Sequence, residues 1–241
     1  MPTGESQWVL AFDVTGPLGS ATVARVTGPC PGGGPLRVRV EHTETFSPSN
    51  RHAAHLLPAI RRALERAGVG LGELHRLAAT RGPGSFTGLR VGLASLHGLA
   101  LASGLPAVGV SSLGAAALAD RESGAPGRCL AVVDALRGEL FAAVYDGGPL
   151  PRRVAGPRRL RPGEVGSWAG RHGAARICGP GMTRYREPIA RSAPGVGLAP
   201  MAGPLAPAAV RLAAARPLES FSPKERNLEP LYLRAPDIHA P

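Results

Sequence analysis

Residues 8–13 read WVLAFD and residues 129–134 read CLAVVD. Both are short apolar runs that end on an aspartate, the pattern of a buried strand stopping at a turn. Each is followed, after a turn, by a second apolar run: SATVARV at 20–26 and ELFAAVY at 139–145. The first turn contains Gly16-Pro17.

The likeness extends outward from these hairpins. Leu36–His42 alternates and predicts a third strand. Ser49 is placed to cap a helix in which Ala53, Leu56, Leu57, Ile60, Leu64 and Ala67 recur with the 3.6-residue period. Pro58 should kink that helix and Gly68 lies just past its end. Leu74–Thr80 is a short strand. The loop Arg81-Gly82-Pro83-Gly84-Ser85 follows, then a mostly apolar helix from about Phe86 to Ser103. In the second half, residues 150–160 predict a third strand, Glu164–Arg171 a short helix and Ala175–Cys178 a strand. Gly179-Pro180-Gly181 then precedes another helix. Each half reads strand, strand, strand, helix, strand, glycine loop, helix. This is an α/β chain built by internal duplication.

Composition sets limits on function. The chain has 241 residues, 33 of them Gly and 25 Pro, yet 44% are hydrophobic and only 19% charged. That balance can bury a core and excludes a disordered linker. Net charge is +11, which ordinarily points to an anionic partner. The basic residues are 27 Arg and one Lys, Lys224, and richness in Ala, Gly, Pro and Arg together indicates GC-rich coding bias. The excess sits in the second half: 10 Arg against 7 acids over 1–120 (+3), 18 basic against 10 acidic over 121–241 (+8). Arg152, Arg153, Arg158, Arg159 and Arg161 cluster there, and a solvated loop is the simplest reading. Cys30, Cys129 and Cys178 are odd in number and far apart, so neither a disulfide framework nor a zinc ribbon is indicated. Cys129 and Cys178 read as small core residues, and no metal site is expected. The N-terminal MPTGESQWVLAFD has no basic n-region and no long apolar segment. Val91–Ala119 lacks charges but is broken by Gly104-Leu105-Pro106, so it reads as helix, strand and helix and not as a membrane span.

A strand that ends in Asp and returns as a hairpin can hold a metal–phosphate group: the turn offers N–H groups and the carboxylate reaches Mg²⁺ through water. Asp13 with Thr15, and Asp134, are candidates for this in a cleft between the halves. Gly82, Pro83, Gly84 and Ser85, and Gly179 with Gly181, would line the same cleft ahead of helix N-termini. A strand-end Asp is also an ordinary turn-former, and Ser85 a helix cap, so both readings stand. The loop is not a phosphate loop of the Gly-Lys-Ser/Thr type, since the one lysine is elsewhere. A dinucleotide fingerprint would need Gly where Thr87 stands. His52 and His55, one helical turn apart, lack a further ligand nearby. Gly88, Gly92 and Gly98 would let a second helix approach.

TRGPGSFTGLRVGLASLHGLAL, beginning at Thr80, resembles the signature of the TsaB family, the dimerisation subunits of the bacterial machinery that makes threonylcarbamoyladenosine in tRNA. LAFD at 10–13, NRHAAHLLPAIRRAL at 50–64, VGVSSL at 108–113, AVVDALRGELFAAVY at 131–145 and LYLR at 231–234 extend the resemblance in the family's order. The resemblance implies a duplicated actin-like, ribonuclease H-like fold of two lobes. The first would be 1–105 plus 218–241, and the second, degenerate lobe 106–217. It implies a cytoplasmic protein that pairs with the catalytic paralogue TsaD, with the ATPase TsaE joining, tRNA reached through the complex, and a homodimer when alone. It implies no cofactor of the chain's own, with ATP and Mg²⁺ entering through the complex. The paralogue's metal is held by a His-x-x-x-His pair after the strand corresponding to 107–110. Here that stretch reads SSLGAAA, and no histidine occurs between His97 and His172. The chain is therefore expected to be non-catalytic. The family's first loop commonly has Thr or Ser directly after the aspartate; here Val14 stands there and Thr15 comes one later. The helices at 49–67 and 86–103 are expected to form the partner interface, with Leu56, Ile60, Phe86, Leu89, Val91, Gly92 and Leu96 on it. The alternative is a nucleotide-dependent phosphotransferase or ATPase of the same superfamily, acting through Asp13 and Asp134.

Overall fold

A computed structural model describes residues 6–28, 36–47, 52–124, 126–199, 203–216 and 228–233. The expected cap Ser49, and Cys30, lie outside them. The first half contributes β1 (Gln7–Asp13), β2 (Gly19–Thr27), β3 (Arg37–Phe46), α1 (His52–Ala67), β4 (Arg76–Thr80), α2 (Phe86–Ser103), β5 (Ala107–Val110) and α3 (Ser112–Glu122). The second contributes β6 (Cys129–Leu136), β7 (Glu139–Tyr145), β8 (Arg153–Leu160), α4 (Val165–Arg171), β9 (Arg176–Cys178), α5 (Met182–Ser192), β10 (Gly197–Leu198) and α6 (Ala206–Ala214).

The two sheets have one topology. The first runs β3-β2-β1-β4-β5 and the second, read from its other end, β8-β7-β6-β9-β10. In both, the first three strands form an antiparallel meander and the last two join in parallel. The duplication read from the two aspartate-ended strands is thus the architecture of the molecule. α1 is one continuous helix that contains Pro58. α2 begins where Ser85 accepts a hydrogen bond from the Gly88 N–H at 3.2 Å, and it ends on Gly104 in the left-handed region, φ 68°.

Strand alternation decides what each face covers. In β1, Leu10 and Phe12 join Leu56 and Ile60 of α1 and Leu93 and Leu96 of α2 in one core. Val9 and Ala11 face the other way and join Ala209, Val210 and Ala213 of α6. In β6, Leu130 and Val132 pack with Trp168 of α4 and Ile189 of α5. Cys129, Ala131 and Val133 pack under Leu113, Ala117 and Leu118 of α3. Each buried leucine contributes roughly 1.5–3 kcal/mol.

One consequence departs from the expected division at 105/106. β5 belongs to the first sheet, and α6 covers the first sheet although it follows β10 of the second. Likewise α3 leaves β5 of the first sheet and covers the second. Each half therefore lends its last helix to the other. The C-terminal return is seen at Leu228, in the first core, and at Leu231, whose N–H donates to the Arg81 carbonyl at 2.8 Å. No helix among the described residues is long and apolar enough to cross a membrane.

Candidate functional site: the turn-and-loop junction and the outer helix face

The end of β1 positions Asp13 inward, and the residue is buried. Its Oδ1 accepts from the Thr15 backbone N–H at 3.1 Å, from the Thr15 hydroxyl at 2.6 Å and from the Thr80 hydroxyl on β4. Its Oδ2 receives no hydrogen bond among the described residues. Burial pushes the carboxyl above the usual carboxylate range, against the lowering effect of Thr15 and Thr80. The Thr15 hydroxyl, offset by one position, is spent on Asp13 itself. Thr80 was not recognised from sequence as a partner; the parallel pairing of β1 with β4 brings it there.

The glycine loop closes over the same turn. The Ser85 N–H donates to the Thr15 carbonyl at 3.0 Å. A Cβ at Gly88 would lie 2.0 Å from the Val14 carbonyl oxygen, one at Gly84 2.6 Å from that of Thr15, and one at Gly92 2.9 Å from Val14 Cγ2. Gly88 and Gly92 thus admit the β1–β2 turn, not a second helix, while Gly98 has nothing within 4 Å. Gly82, at φ 107°, sits against Leu89 and the Leu231 carbonyl, and Pro83 beside it is buried.

The second half repeats this arrangement with different occupants. A Cβ at Gly179 would lie 2.6 Å from the Val132 carbonyl oxygen and one at Gly181 2.7 Å from Leu140 Cδ2. Asp134 is only partly buried; its Oδ1 accepts from the Leu136 N–H at 2.7 Å, and Oδ2 lies 3.6 Å from Arg184. Among the described residues, Asp13 and Asp134 share no hydrogen-bond partner. Between the halves, a Cβ on Gly16 would lie 3.6 Å from Pro180 Cβ. The first turn and the second glycine loop therefore lie side by side, with room between them for about a methyl group.

The expected interface residues divide sharply. Leu56, Ile60, Leu89, Gly92 and Leu96 are buried within the chain, and Val91 is partly buried. Leu56, Ile60 and Leu96 belong to the first core. They are the inward stripes of α1 and α2, consumed by the sheet. Phe86 alone of the set is exposed, at 38%, and its ring lies 5.2 Å from that of Tyr232. The exposed surface of α2 runs from Phe86, Thr87 and Arg90 to Ala94, His97, Gly98, Leu101 and Ala102, with Leu57 exposed on the adjacent α1. Leu101 is 88% exposed and Leu57 52%. The signal for this face was the absence of charge on the outward positions after Arg90.

Other candidates are dispersed. His55 stacks on Phe46 at 6.3 Å, and the side chain of His52 lies outside the described residues. In the basic cluster, Arg152 pairs with Asp146 at 3.2 Å and Arg159 with Glu139 at 3.3 Å along the edge strand β8.

Three comparisons bear on these features. Residues 46–161 match the family model of TsaD, tRNA N6-adenosine threonylcarbamoyltransferase. The TsaB protein of Escherichia coli K12, a tRNA threonylcarbamoyladenosine biosynthesis protein, is 44% identical over 95 residues, 39% of this chain and 41% of that protein. Its Haemophilus influenzae counterpart is 40% identical over 37% of this chain and 38% of that protein. The chain thus spans about two-fifths of the length of the curated relatives it matches. In structure it aligns with YeaZ from Pseudomonas aeruginosa at a TM-score of 0.70 and 26% identity, over 94% of this chain and 100% of the other. With the signature run on the turn-packing loop and α2, and the duplicated sheets aligned end to end, the chain is similar to the TsaB proteins in part of its sequence and to YeaZ over nearly all of its fold.

Proposed function

We propose that this chain is a non-catalytic subunit of the machinery that makes N6-threonylcarbamoyladenosine in tRNA, and that it pairs with a TsaD-type paralogue through the outer faces of α1 and α2. The observation that carries the reading is the outward face of α2. Ala94, Gly98, Leu101 and Ala102 make a smooth, uncharged strip on a chain whose other surfaces are rich in arginine. Small residues let a partner helix approach closely, and exposed apolar surface of this kind marks an interface. A paralogue built from the same duplication presents the equivalent helices, and a second copy of this chain does so when the paralogue is absent.

Three features support a non-catalytic role. The stretch after β5 lacks the histidine pair of the paralogue. Asp13 is enclosed by its own turn and Thr80. The first turn and the second glycine loop lie side by side, which narrows the cleft between the halves. The chain then holds no nucleotide of its own; ATP and Mg²⁺ enter through the complex, with TsaE joining it, and tRNA is met in the cytoplasm by the assembly as a whole. The phosphotransferase alternative needs a carboxylate at Asp13 that a ligand can reach, and burial of that carboxyl does not favour it.

Co-expression with the paralogue from the same source tests the pairing. Gly98→Arg and Leu101→Asp should abolish co-purification while leaving the isolated chain as stable as before. Neutralising Arg152, Arg153, Arg158 and Arg159 should leave pairing intact. Retention of the paralogue by both helix variants would remove the interface from α2. Mg-ATP titrated into the isolated chain should give no binding heat; micromolar binding with turnover lost in Asp13→Ala would restore the phosphotransferase.

A further inference from the structure

Cys129 opens β6 and Cys178 closes β9, far apart in sequence but on neighbouring parallel strands. The register pairs Cys129 with Arg176 and Ala131 with Cys178, so the two cysteines are diagonal neighbours. Both side chains lie on the face covered by α3, and both are buried free thiols. Asp120, in the last turn of α3, is buried beside them. The two Sγ atoms and one Asp120 carboxylate oxygen all lie within 4.8 Å of one another.

The carboxylate is only half satisfied. Asp120 Oδ2 accepts from Arg176 Nη2 at 2.5 Å, while Oδ1 is buried and receives no hydrogen bond among the described residues. The Cys178 thiol faces the Cys129 thiol, and its contact with the Ala116 carbonyl, at 4.0 Å, is at the limit of a hydrogen bond. An apolar core explains small cysteines here. It does not explain a buried carboxylate oxygen left without a donor next to two thiols.

We propose that Cys129, Cys178 and Asp120 bind a thiophilic divalent cation, of which zinc is the fitting example, clamping α3 to the second sheet. Cysteine thiolates and aspartate carboxylates are zinc ligands, and three such donors leave a fourth, tetrahedral position for a water molecule. Binding releases the two thiol protons to solvent, and the fully assembled group is neutral: one divalent cation, two thiolates, one carboxylate and the Arg176 guanidinium. Arg176 holds Oδ2 and leaves Oδ1 to the ion, the supporting role that outer-shell partners take around metals. A disulfide is less suited to the pair. Diagonal neighbours on adjacent strands sit roughly 7–8 Å apart, beyond the usual Cα separation across a disulfide. Since α3 follows directly from β5, the ion would tie the first sheet's own chain to the second sheet. This inference is independent of the proposed partner function.

Metal analysis of the full chain purified without chelator tests it. About one equivalent of zinc per chain is expected. It should persist in Cys30→Ala and fall to background in Cys129→Ala and Cys178→Ala. Should those variants fail to fold, the wild type decides by itself. After stripping, it should take up Co²⁺ with a thiolate-to-cobalt absorption band, and its melting temperature should rise with added Zn²⁺. Background metal together with no cobalt band overturns the proposal. So does an intact mass short of two hydrogens that returns on reduction in Cys30→Ala, which would identify a disulfide.

Discussion

Gly88 shows how little room single residues have at the turn-and-loop junction. Its missing Cβ is replaced by the Val14 carbonyl, which a methyl group would meet at 2.0 Å. Gly88→Ala should therefore destabilise the chain by at least the 1–3 kcal/mol typical of overpacking, read by urea denaturation. Gly98→Ala, on the same helix with nothing within 4 Å, should instead stabilise it by about 0.5–1 kcal/mol. Asp13 carries a pH signature. Burial raises its folded carboxyl above the ordinary value of 3.8, so between the two values the folded state binds more protons than the unfolded. The contribution of Asp13 is then full below the unfolded value and is lost as pH rises through the folded one. The stability difference between wild type and Asp13→Asn should shift against the wild type as pH rises from the acidic range. A difference flat with pH would mean that the carboxyl is not perturbed. At this scale the sequence was informative about residue type and poor about partners. It marked Asp13, Thr15 and the loop glycines, but a parallel pairing across many residues decides that Thr80 and Val14 are what they touch.

At the scale of elements, α2 was the most legible part of the chain. Its start at Phe86 and its end at Ser103 follow from Ser85, which can cap, and Gly104, which can adopt the left-handed conformation. Ser85→Ala and Ser111→Ala each remove a cap to the backbone N–H three residues on and should each cost about 1 kcal/mol, adding nearly independently in the double variant. What the sequence hid was which side of α1 and α2 faces outward. The apolar stripe of Leu56, Ile60, Leu89 and Leu96 suggested an interface, yet a stripe of large side chains is what a helix spends on its own sheet. The outward face had to be read from what lacked charge, and small residues such as Ala94 and Gly98 give no strong signal alone. The crossing of α3 and α6 was hidden for a related reason. Alternation along β1 and β6 says that both faces are covered, and says nothing about which helix covers them.

For the whole molecule, that crossing makes the halves interdependent. Without α6, the Val9, Ala11, Val108 and Val110 face of the first sheet is bare, so a fragment ending at 110 should aggregate or stay unfolded. Each half carries one of the two tryptophans, Trp8 beside the first core and Trp168 inside the second. Trp8→Phe and Trp168→Phe variants should unfold in urea at coincident midpoints when followed by the remaining fluorophore; separated transitions would mean autonomous halves. The closeness of Gly16 to Pro180 then has a mechanical meaning. In a two-lobed enzyme the cleft works as a hinge, with the ligand setting its angle. Here the facing turns lie side by side and each lobe is bolted to the other by a borrowed helix, so the cleft acts as a strut. A load applied at the outer face of α2 would be passed through the molecule as displacement of the whole body, with no joint to absorb it.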